Sequence, residues 1–361
     1  MRSRVLRIFE QMPDDIDRVL LMNHTEPHVD LSFFHATDLV AGGTFERAAA
    51  VLTREGAAHI LVPALEESSA RRAKDAVVTT FREREEREKW LRAELAGAAK
   101  IGLHLDELAA SDYVALAHTL PKAERVDVTQ GLAAARAIKD EVEVGRIRTA
   151  GRIVSEVADM VPELLSEGMR EFELAAELSY QMQKRGATGP SFDSIVAFGA
   201  GSAEPHYHPG DIVLQDGFVL CDFGAWFQRY ASDLTRTWLH GEVEGQHRAI
   251  YAKVKEAHQA ALDKVKAGVN GKLVHQAAAD VIDASPFKGR FIHSVGHGLG
   301  LAVHDGGVLS PRVDYELQAG MVVTIEPGIY VPEVGGVRIE DDILVTDDGY
   351  ELLTAAKYQT A

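Results

Sequence analysis

The sequence predicts a chain of two parts, a smaller α/β domain followed by a larger α+β domain built on an antiparallel sheet. At 361 residues the chain exceeds the length of one ordinary domain. Its first third alternates short apolar runs with helical patterns, which is typical of an α/β domain. From about residue 194 the apolar runs become short, β-rich and separated by Gly and Pro. We place the boundary near residue 130, so the predicted domains are residues 1–130 and 131–361.

The elements of the first domain follow from the periodicity of apolar residues. Strands are expected at 18–22, 58–62, 101–105 and 126–128, and helices at 45–53 and 83–95. The second of these helices is rich in charge and is therefore expected on the surface.

The second domain begins with helices and continues with strands. Helical patterns cover 130–152, 152–165, 168–184, 245–266 and 272–285. Apolar runs rich in β-branched and aromatic residues predict buried strands at 195–199, 218–224 and 322–328.

Composition and charge exclude several classes of function. A net charge of −17 repels phosphate backbones, so nucleic acid is not expected as a partner. Cys221 is the only cysteine, which rules out an internal disulfide and a thiolate zinc cluster. No apolar run approaches the roughly 18 residues that a membrane span requires, and the first residues do not resemble a signal peptide. We expect a cytoplasmic protein with no membrane partner.

Two aspartates occur where the sequence predicts buried strands. Asp222 follows the apolar run 218–221, and Asp233 lies in a second strand eleven residues later. An ionised carboxylate in such a place costs several kcal/mol unless a cation compensates it. Two antiparallel strands joined by a short turn bring the two carboxylates side by side, which requires a metal ion or a shared proton. The alternative is a structural pairing of Asp233 with Arg236.

The same pattern recurs further along the chain. Glu326 ends the apolar run 321–325, and Glu340 follows 337–339. His297 lies among glycines that permit close backbone approach. Together with the two aspartates these residues form an oxygen-rich set suited to manganese, cobalt, zinc or iron, and bridging carboxylates favour two ions about 3.5–4 Å apart.

Histidines are concentrated in the same part of the chain, since nine of the fifteen lie between positions 206 and 304. Clustering alone is weak evidence, because surface helices also carry histidine. His247, His258 and His275 are expected on such helices, and His208 and His240 are also given no role.

Six stretches carry a resemblance to a known family: 202–206 (SAEPH), 221–225 (CDFGA), 230–237 (YASDLTRT), 293–300 (HSVGHGLG), 324–330 (TIEPGIY) and 335–341 (GGVRIED). In order and spacing they resemble the pita-bread metallopeptidases, which include Xaa-Pro dipeptidase (prolidase), Xaa-Pro aminopeptidase and methionine aminopeptidase. The resemblance covers about residues 135–361. The first third looks like the creatinase-type N-terminal domain of the prolidase branch.

The resemblance implies a role for each matching residue. Five ligands, Asp222, Asp233, His297, Glu326 and Glu340, would hold two divalent ions per subunit, with Asp233 and Glu340 bridging. Manganese is favoured, and cobalt, zinc or iron are possible. Such ions acidify water and polarise a carbonyl. Glu326 would also carry a proton to the leaving nitrogen. His304 would stabilise the tetrahedral intermediate, His206 and His293 would orient the substrate, and Arg338 would steady the site.

The substrate implied is a proline-containing peptide, with Xaa-Pro dipeptidase favoured and Xaa-Pro aminopeptidase as the alternative. Related dipeptidases carry an arginine that grips the substrate carboxylate; here Val308 stands in that register, and Arg312 is displaced by four residues. The intact ligand set disfavours a creatinase-like hydrolase, because such an enzyme needs no metal. It also disfavours a non-catalytic binding module, because such modules typically lose metal ligands. Relatives are commonly dimers, so a homodimer is expected.

Overall fold

The computed structural model describes residues 1–25, 28–40, 42–73 and 75–359. The chain divides into two units, Met1–Arg136 and Ala137–Ala361. Within the described ranges, no helix has both the length and the apolar character that crossing a membrane demands.

The N-terminal unit is organised around one six-stranded sheet in the order β4-β3-β2-β1-β5-β6. Its strands are β1 (Arg18–Met22), β2 (Ala49–Thr53), β3 (Ala58–Pro63), β4 (Val77–Phe81), β5 (Lys100–Leu103) and β6 (Glu124–Asp127). Its helices are α1 (Arg2–Glu10), α2 (Leu31–Thr37), α3 (Glu67–Ala70), α4 (Arg84–Glu94), α5 (Ala110–Thr119) and α6 (Thr129–Ala137). Only β2 runs against its neighbours, so the other five strands point in one direction.

One predicted element of this unit is wrong, because the segment 45–53 forms strand β2 and not a helix. Its run of alanines favours a helix by intrinsic propensity. In the structure β2 lies between β1 and β3, and all five of its residues are buried. Phe45 and Arg47 adopt left-handed φ values of 56° and 58°, which a helix does not accept. Tertiary burial therefore overrides the local preference. Strand β4 and helices α1, α2, α3 and α5 were not predicted.

The C-terminal unit combines five helices with short strands that pair antiparallel throughout, as the sequence predicts. The helices are α7 (Glu141–Ala158), α8 (Val161–Leu164), α9 (Glu171–Lys184), α10 (Gly245–Leu262) and α11 (Gly271–Asp283). The strands are β7 (Gly189–Pro190), β8 (Ile195–Phe198), β9 (Gly217–Phe223), β10 (Ala225–Phe227), β11 (Tyr230–Ala231), β12 (Leu234–His240), β13 (Gly296–His297), β14 (Val308–Leu309), β15 (Val322–Ile325), β16 (Gly328–Val331), β17 (Gly335–Arg338), β18 (Asp341–Val345) and β19 (Tyr350–Leu352).

Helix α7 begins at a capping box that the sequence encodes. The Asp140 carboxylate accepts hydrogen bonds from the amides of Val142 and Glu143, each at 3.0 Å, and the Glu143 carboxylate accepts from the Asp140 amide at 2.9 Å. These contacts satisfy amides that a helix start leaves unpaired. The helix thus begins at residue 141, and the long helix expected at 152–165 starts earlier and ends at Ala158.

Strand β9 directs its side chains to two environments. Val219, Cys221 and Phe223 belong to an apolar cluster formed with helices α7 and α9. Because side chains alternate across a strand, Asp222 points to the opposite face. That face carries the candidate site.

Candidate active site

All residues expected to act as metal ligands or catalytic groups line one cavity of about 400 Å³ in the C-terminal unit. They are Asp222, Asp233, His297, Glu326 and Glu340 as expected ligands, with His206, His293, His304 and Arg338 around them. The roles of the individual residues stay predictions, but the structure brings the whole set to one place.

The carboxylates reach the cavity from strand ends and strand breaks. In the antiparallel pair of β9 and β12, Asp222 lies opposite Thr235. Asp233 was expected within a strand, and this is wrong. It lies in the two-residue gap between β11 and β12. Glu340 lies in the gap between β17 and β18, and Glu326 directly follows β15.

Three of these side chains form a tight cluster. Asp233, His297 and Glu340 each offer a ligand atom, and these atoms lie within 4.8 Å of one another. One oxygen of Asp222, of Asp233 and of Glu340 is buried and, among the described residues, accepts no hydrogen bond. Buried polar atoms are nearly always partnered in folded proteins, so these three unpaired oxygens fit carboxylates that bind a cation.

The pKa values of these groups show what the protein alone does to the site. Burial, followed by repulsion from neighbouring carboxylates, raises the pKa of Asp233 and of Glu340 well above the ordinary range. Burial raises the pKa of Glu326 to about 8, although the Arg338 charge opposes that shift. Bound cations would lower the pKa values of these carboxyl groups again. Carboxylates with an imidazole are also the donor set that divalent transition metals accept, so these residues fit such ions.

The His297 ring presents one nitrogen to a backbone carbonyl and the other to two carboxylates. Its Nδ1 lies 3.2 Å from the carbonyl oxygen of Gly298, which can only accept a hydrogen bond, so Nδ1 carries the proton. The lone pair is then on Nε2, which lies 3.7 Å from both Asp233 Oδ2 and Glu326 Oε1. Burial and the nearby His304 ring lower the pKa of His297 to about 4. The imidazole is therefore neutral, which is its metal-binding form.

Arg338 is the cation that the protein itself supplies to the cavity. Its Nη2 donates to Asp222 Oδ2 at 2.6 Å, and its Nη1 donates to the Tyr330 hydroxyl at 2.9 Å. Its Nε donates to Thr235 Oγ1 at 3.1 Å. The Tyr330 hydroxyl also lies 2.8 Å from His293 Nε2. One guanidinium thus fixes the Asp222 carboxylate and, through Tyr330, the His293 ring.

Comparison with known proteins identifies the family of this chain. The model of metallopeptidase family M24 matches residues 145–347, more than half of the chain, and the model of the creatinase/prolidase N-terminal domain matches residues 16–138. The chain belongs to metallopeptidase family M24. It is therefore a two-domain metallopeptidase with a creatinase-type N-terminal domain and a pita-bread catalytic domain, as the sequence motifs predict, and the family implies divalent metal ions.

Similar proteins extend the comparison to nearly the whole chain. A putative dipeptidase, YkvY of Bacillus subtilis, is 38% identical over 255 residues, which are 70% of each protein. A prolidase of Pyrococcus horikoshii has a TM-score of 0.89 and 32% identity, covering 99% of this chain and 100% of that one. An X-Pro aminopeptidase of Thermotoga maritima has a TM-score of 0.90 and 30% identity, covering 98% and 99%. The relatives thus include both dipeptidases and an aminopeptidase.

Arg236 of this metallopeptidase does not pair with Asp233, so that structural alternative is wrong. Its Nη2 donates to Asp341 Oδ1 at 2.7 Å, and its Nη1 donates to the backbone carbonyl of Glu340 at 2.6 Å. Asp233 is held instead through its backbone amide, which donates to Asp342 Oδ2 at 2.9 Å. Arg236 therefore braces the segment that carries Glu340 and leaves the Asp233 carboxylate without a protein cation.

Three histidines that were given no role lie in other surroundings than expected. His258 and His275 lie on helices, α10 and α11, but both are buried and do not face solvent. His258 Nε2 lies 3.5 Å from Asp341 Oδ2. His208 lines the active-site cavity beside His206. Sequence position therefore identified the helices of His258 and His275 but not their burial, and it did not place His208.

The loop that carries His206 depends on a residue that sequence reasoning missed. Glu171, at the start of α9, is fully buried. Its carboxylate accepts hydrogen bonds from the Phe198 amide at 2.8 Å, the Tyr207 hydroxyl at 2.9 Å and the Gly210 amide at 2.9 Å. An acid at a helix start reads as an ordinary first-turn charge, so nothing in the sequence singled it out.

Proposed function

We propose that this metallopeptidase is an exopeptidase that hydrolyses the peptide bond preceding proline, with Xaa-Pro dipeptides as its substrates. The observation that carries the proposal is the convergence of Asp233, His297 and Glu340 within 4.8 Å on a cavity of about 400 Å³. A cavity of that size matches a small peptide substrate.

In this proposal two divalent ions, with manganese favoured, are held by Asp222, Asp233, His297, Glu326 and Glu340. When bound, the ions supply Lewis acidity that polarises a peptide carbonyl and acidifies water. The unpaired buried oxygens of Asp222, Asp233 and Glu340 support this assignment.

The remaining residues act on the substrate. The Glu326 side chain is 16% exposed, more than those of Asp222 at 12% and Asp233 at 7%, so it is the acid placed to pass a proton to the leaving nitrogen. That nitrogen needs a proton donor because it must leave as a neutral amine and not as an amide anion. The imidazole of His304 has its centroid 4.2 Å from that of His297, where it can stabilise a tetrahedral oxyanion.

The substrate side of the cavity suits a proline ring. Phe192 and Val303 supply an apolar wall, and His206 and His293 line the cavity with them. An apolar wall with a few polar groups binds a ring and fixes its orientation. Arg338 would keep Asp222 and, through Tyr330, His293 in position.

Xaa-Pro aminopeptidase activity on longer peptides is the second candidate, and one observation favours it. A dipeptide presents its terminal carboxylate next to the proline ring, where a cation would bind it. Among the described residues that line the cavity, Arg338 is the only arginine, there is no lysine, and its guanidinium already donates to Asp222, Tyr330 and Thr235. Val308 lines the cavity at the place where related dipeptidases have an arginine.

The test is to load the protein with manganese and to offer matched substrates: Ala-Pro, Ala-Pro-Ala and Ala-Ala-Ala. Release of alanine from Ala-Pro supports the dipeptidase. Cleavage of Ala-Pro-Ala without cleavage of Ala-Pro identifies the aminopeptidase. Cleavage of Ala-Ala-Ala at an equal rate contradicts proline specificity, and no cleavage by a metal-loaded protein contradicts the peptidase proposal. The cytoplasmic location and the homodimer stay predictions.

A further inference from the structure

The segment of residues 353–359 follows strand β19 and forms neither helix nor strand, yet part of it is deeply buried. Leu353, Thr354 and Ala356 are 4%, 0% and 5% exposed. Irregular segments usually run over the protein surface, because their backbone groups need water as a partner. Here the protein itself supplies the partners, and the proposed peptide hydrolysis gives this segment no role.

The hydroxyl of Thr354 joins two consecutive aspartates at the start of strand β18. Thr354 Oγ1 donates to Asp341 Oδ1 at 2.9 Å and accepts from the Asp342 amide, also at 2.9 Å. The Leu353 amide donates to the Asp342 carbonyl oxygen at 2.8 Å. The segment is therefore fixed to the two residues that directly follow the expected ligand Glu340.

Each of these aspartates helps to hold the backbone of one expected bridging ligand, Asp233 or Glu340. The Asp342 carboxylate accepts from the Asp233 amide at 2.9 Å. The Asp341 carboxylate accepts from Arg236 Nη2 at 2.7 Å, and the same guanidinium donates through Nη1 to the Glu340 carbonyl oxygen at 2.6 Å. One path of hydrogen bonds thus leads from the same hydroxyl to each of the two ligands.

The 353–359 segment also holds Arg236 directly. Its Nη2 donates to the Ala356 carbonyl oxygen at 2.8 Å, and its guanidinium carbon lies 5.0 Å from the centroid of the Tyr358 ring. Arg236, Asp341 and Asp342 are at most 2% exposed. A buried ion pair adds little net stability, because desolvation offsets the attraction, so stability alone does not account for these buried charges.

The two expected bridging ligands need this support because neither lies within a strand. Asp233 lies in the gap between β11 and β12, and Glu340 lies in the gap between β17 and β18. Side-chain hydrogen bonds therefore take part in fixing their backbones. Groups that bind a metal together have to be placed to within about 0.5 Å. A small shift of either segment changes how well the two carboxylates can share a cation.

We propose that Thr354 is a positioning residue of the metal site, whose hydroxyl acts through Asp341 and Asp342 to set the Asp233 and Glu340 carboxylates against each other. Thr354 touches neither cation nor substrate. The inference rests on the metal ligands of the proposed function and adds the 353–359 segment to the structure that supports them. Removing a partner that orients metal ligands typically lowers metal affinity by about 10–100-fold.

Calorimetric titration of the full chain with manganese tests the proposal on two substitutions at this position. Thr354→Val keeps the shape of the side chain and removes its hydroxyl, so manganese affinity should fall by at least about tenfold. Thr354→Ser restores the hydroxyl and should bind manganese as the unaltered protein does. In electron paramagnetic resonance, the spectrum of two coupled manganese ions should weaken in Thr354→Val and persist in Thr354→Ser.

Ser155→Ala is the matched control for a general loosening of the segment. Ser155 Oγ accepts from the Ala355 amide at 2.9 Å and, among the described residues, bonds to neither aspartate. The substitution therefore removes a hydrogen bond from the neighbouring residue and leaves the two paths to the ligands intact. It should leave manganese affinity unchanged.

Hydrogen exchange of the unaltered full chain tests the same coupling without any substitution. If an ordered 353–359 segment favours metal binding, metal binding must in turn favour the ordered segment, because coupling between two sites is reciprocal. Manganese should therefore slow amide exchange in residues 353–359, which hold no expected ligand. Exchange in helix α4 of the N-terminal unit should not change.

The outcomes separate this inference from the proposed function. If the unaltered protein binds two manganese ions and Thr354→Val binds them equally tightly, the inference is overturned and the proposed function stands. Failure of Thr354→Ser to restore affinity, or an equal loss in Ser155→Ala, also overturns it. Unchanged exchange of residues 353–359 on manganese binding overturns it even if Thr354→Val does not fold. No manganese bound to the unaltered, folded protein overturns the proposed function and this inference with it.

Discussion

Replacing Glu171 by alanine is the most informative perturbation outside the metal cluster. The side chain touches no expected ligand, yet its carboxylate joins β8 to the loop that carries His206. Burial and the hydrogen bond to this carboxylate raise the pKa of Tyr207 to about 12, so its hydroxyl remains a donor at all physiological pH values. The variant therefore removes the common acceptor of three donors at once.

The expected cost follows from the exposure of those donors. The Phe198 amide belongs to a buried residue and loses its partner entirely, which costs about 1–3 kcal/mol. Tyr207 and Gly210 are half-buried, so water replaces part of what they lose, and each should cost about 0.5–1 kcal/mol. We expect Glu171→Ala to lower the free energy of unfolding by about 2–5 kcal/mol. Tyr207→Phe removes one of the three contacts and should cost about 1 kcal/mol.

Urea unfolding of the metal-loaded protein measures the stability, and kcat/KM on the peptide that the protein cleaves measures the effect on catalysis. Release of the loop should lower kcat/KM by at least tenfold, because catalysis is sensitive to misplacement of about 1 Å. Glu177→Gln is the matched control, since Glu177 lies on the same helix and its carboxylate accepts, among the described residues, one side-chain hydrogen bond, from Gln181. It should change stability by less than about 0.5 kcal/mol.

The reasoning would be refuted if Glu171→Ala matched Glu177→Gln in both stability and kcat/KM. A loss of stability without any loss of kcat/KM would refute the proposed positioning of His206 alone.

Three further predictions follow from other parts of the C-terminal unit. Burial lowers the pKa of His258 to about 4, so as pH falls the unfolded chain takes up a proton at this residue before the folded protein does. The free energy of unfolding should therefore be unaffected by this residue above about pH 6.5 and should fall by about 3 kcal/mol toward pH 4. His258→Asn should flatten that part of a pH–stability curve. Gly296→Ala places a Cβ 1.9 Å from the Thr324 carbonyl oxygen, so it should destabilise the fold by about 3 kcal/mol. It should also weaken metal binding, because His297 is the next residue. Thermal unfolding and metal titration measure the two effects. Val308→Arg should raise the ratio of dipeptide to tripeptide cleavage about tenfold, since it adds a cation for the terminal carboxylate; an unchanged ratio would contradict that role.

The expected site could be read from the sequence because its residues break a local rule. Asp222 and Glu326 interrupt or end apolar strands, and their positions alone indicate a buried charge that needs compensation. The family resemblance then supplied His206, His293, His304 and Arg338. The structure brings these residues to one cavity, and its unpaired oxygens give the physical reason for their pattern.

Residues that break no local rule were missed. Glu171 lies in the first turn of a helix, where an acid is ordinary, yet it anchors the His206 loop. Tyr330 fits the pattern of an ordinary apolar strand, yet it links Arg338 to His293. The partners of Glu171 lie 27 to 39 positions away in the sequence, and those of Tyr330 lie 8 and 37 positions away.

Alanine-rich β2 was predicted as a helix for a related reason. Its neighbours in the sheet, which the local sequence does not contain, decide its conformation. Local patterns therefore predicted the fold class and the residues that the structure brings to one cavity, but not the network that holds them in place.

Metal stoichiometry is the most direct test of the central claim, that the buried carboxylates of this metallopeptidase are arranged to share two divalent cations. The protein and its Asp233→Asn variant would be loaded with manganese, passed through gel filtration and analysed for metal per chain. We predict close to two ions per chain for the unaltered protein and a clear loss in the variant, with both proteins folded. Equal and substoichiometric metal in the two folded proteins would contradict the account.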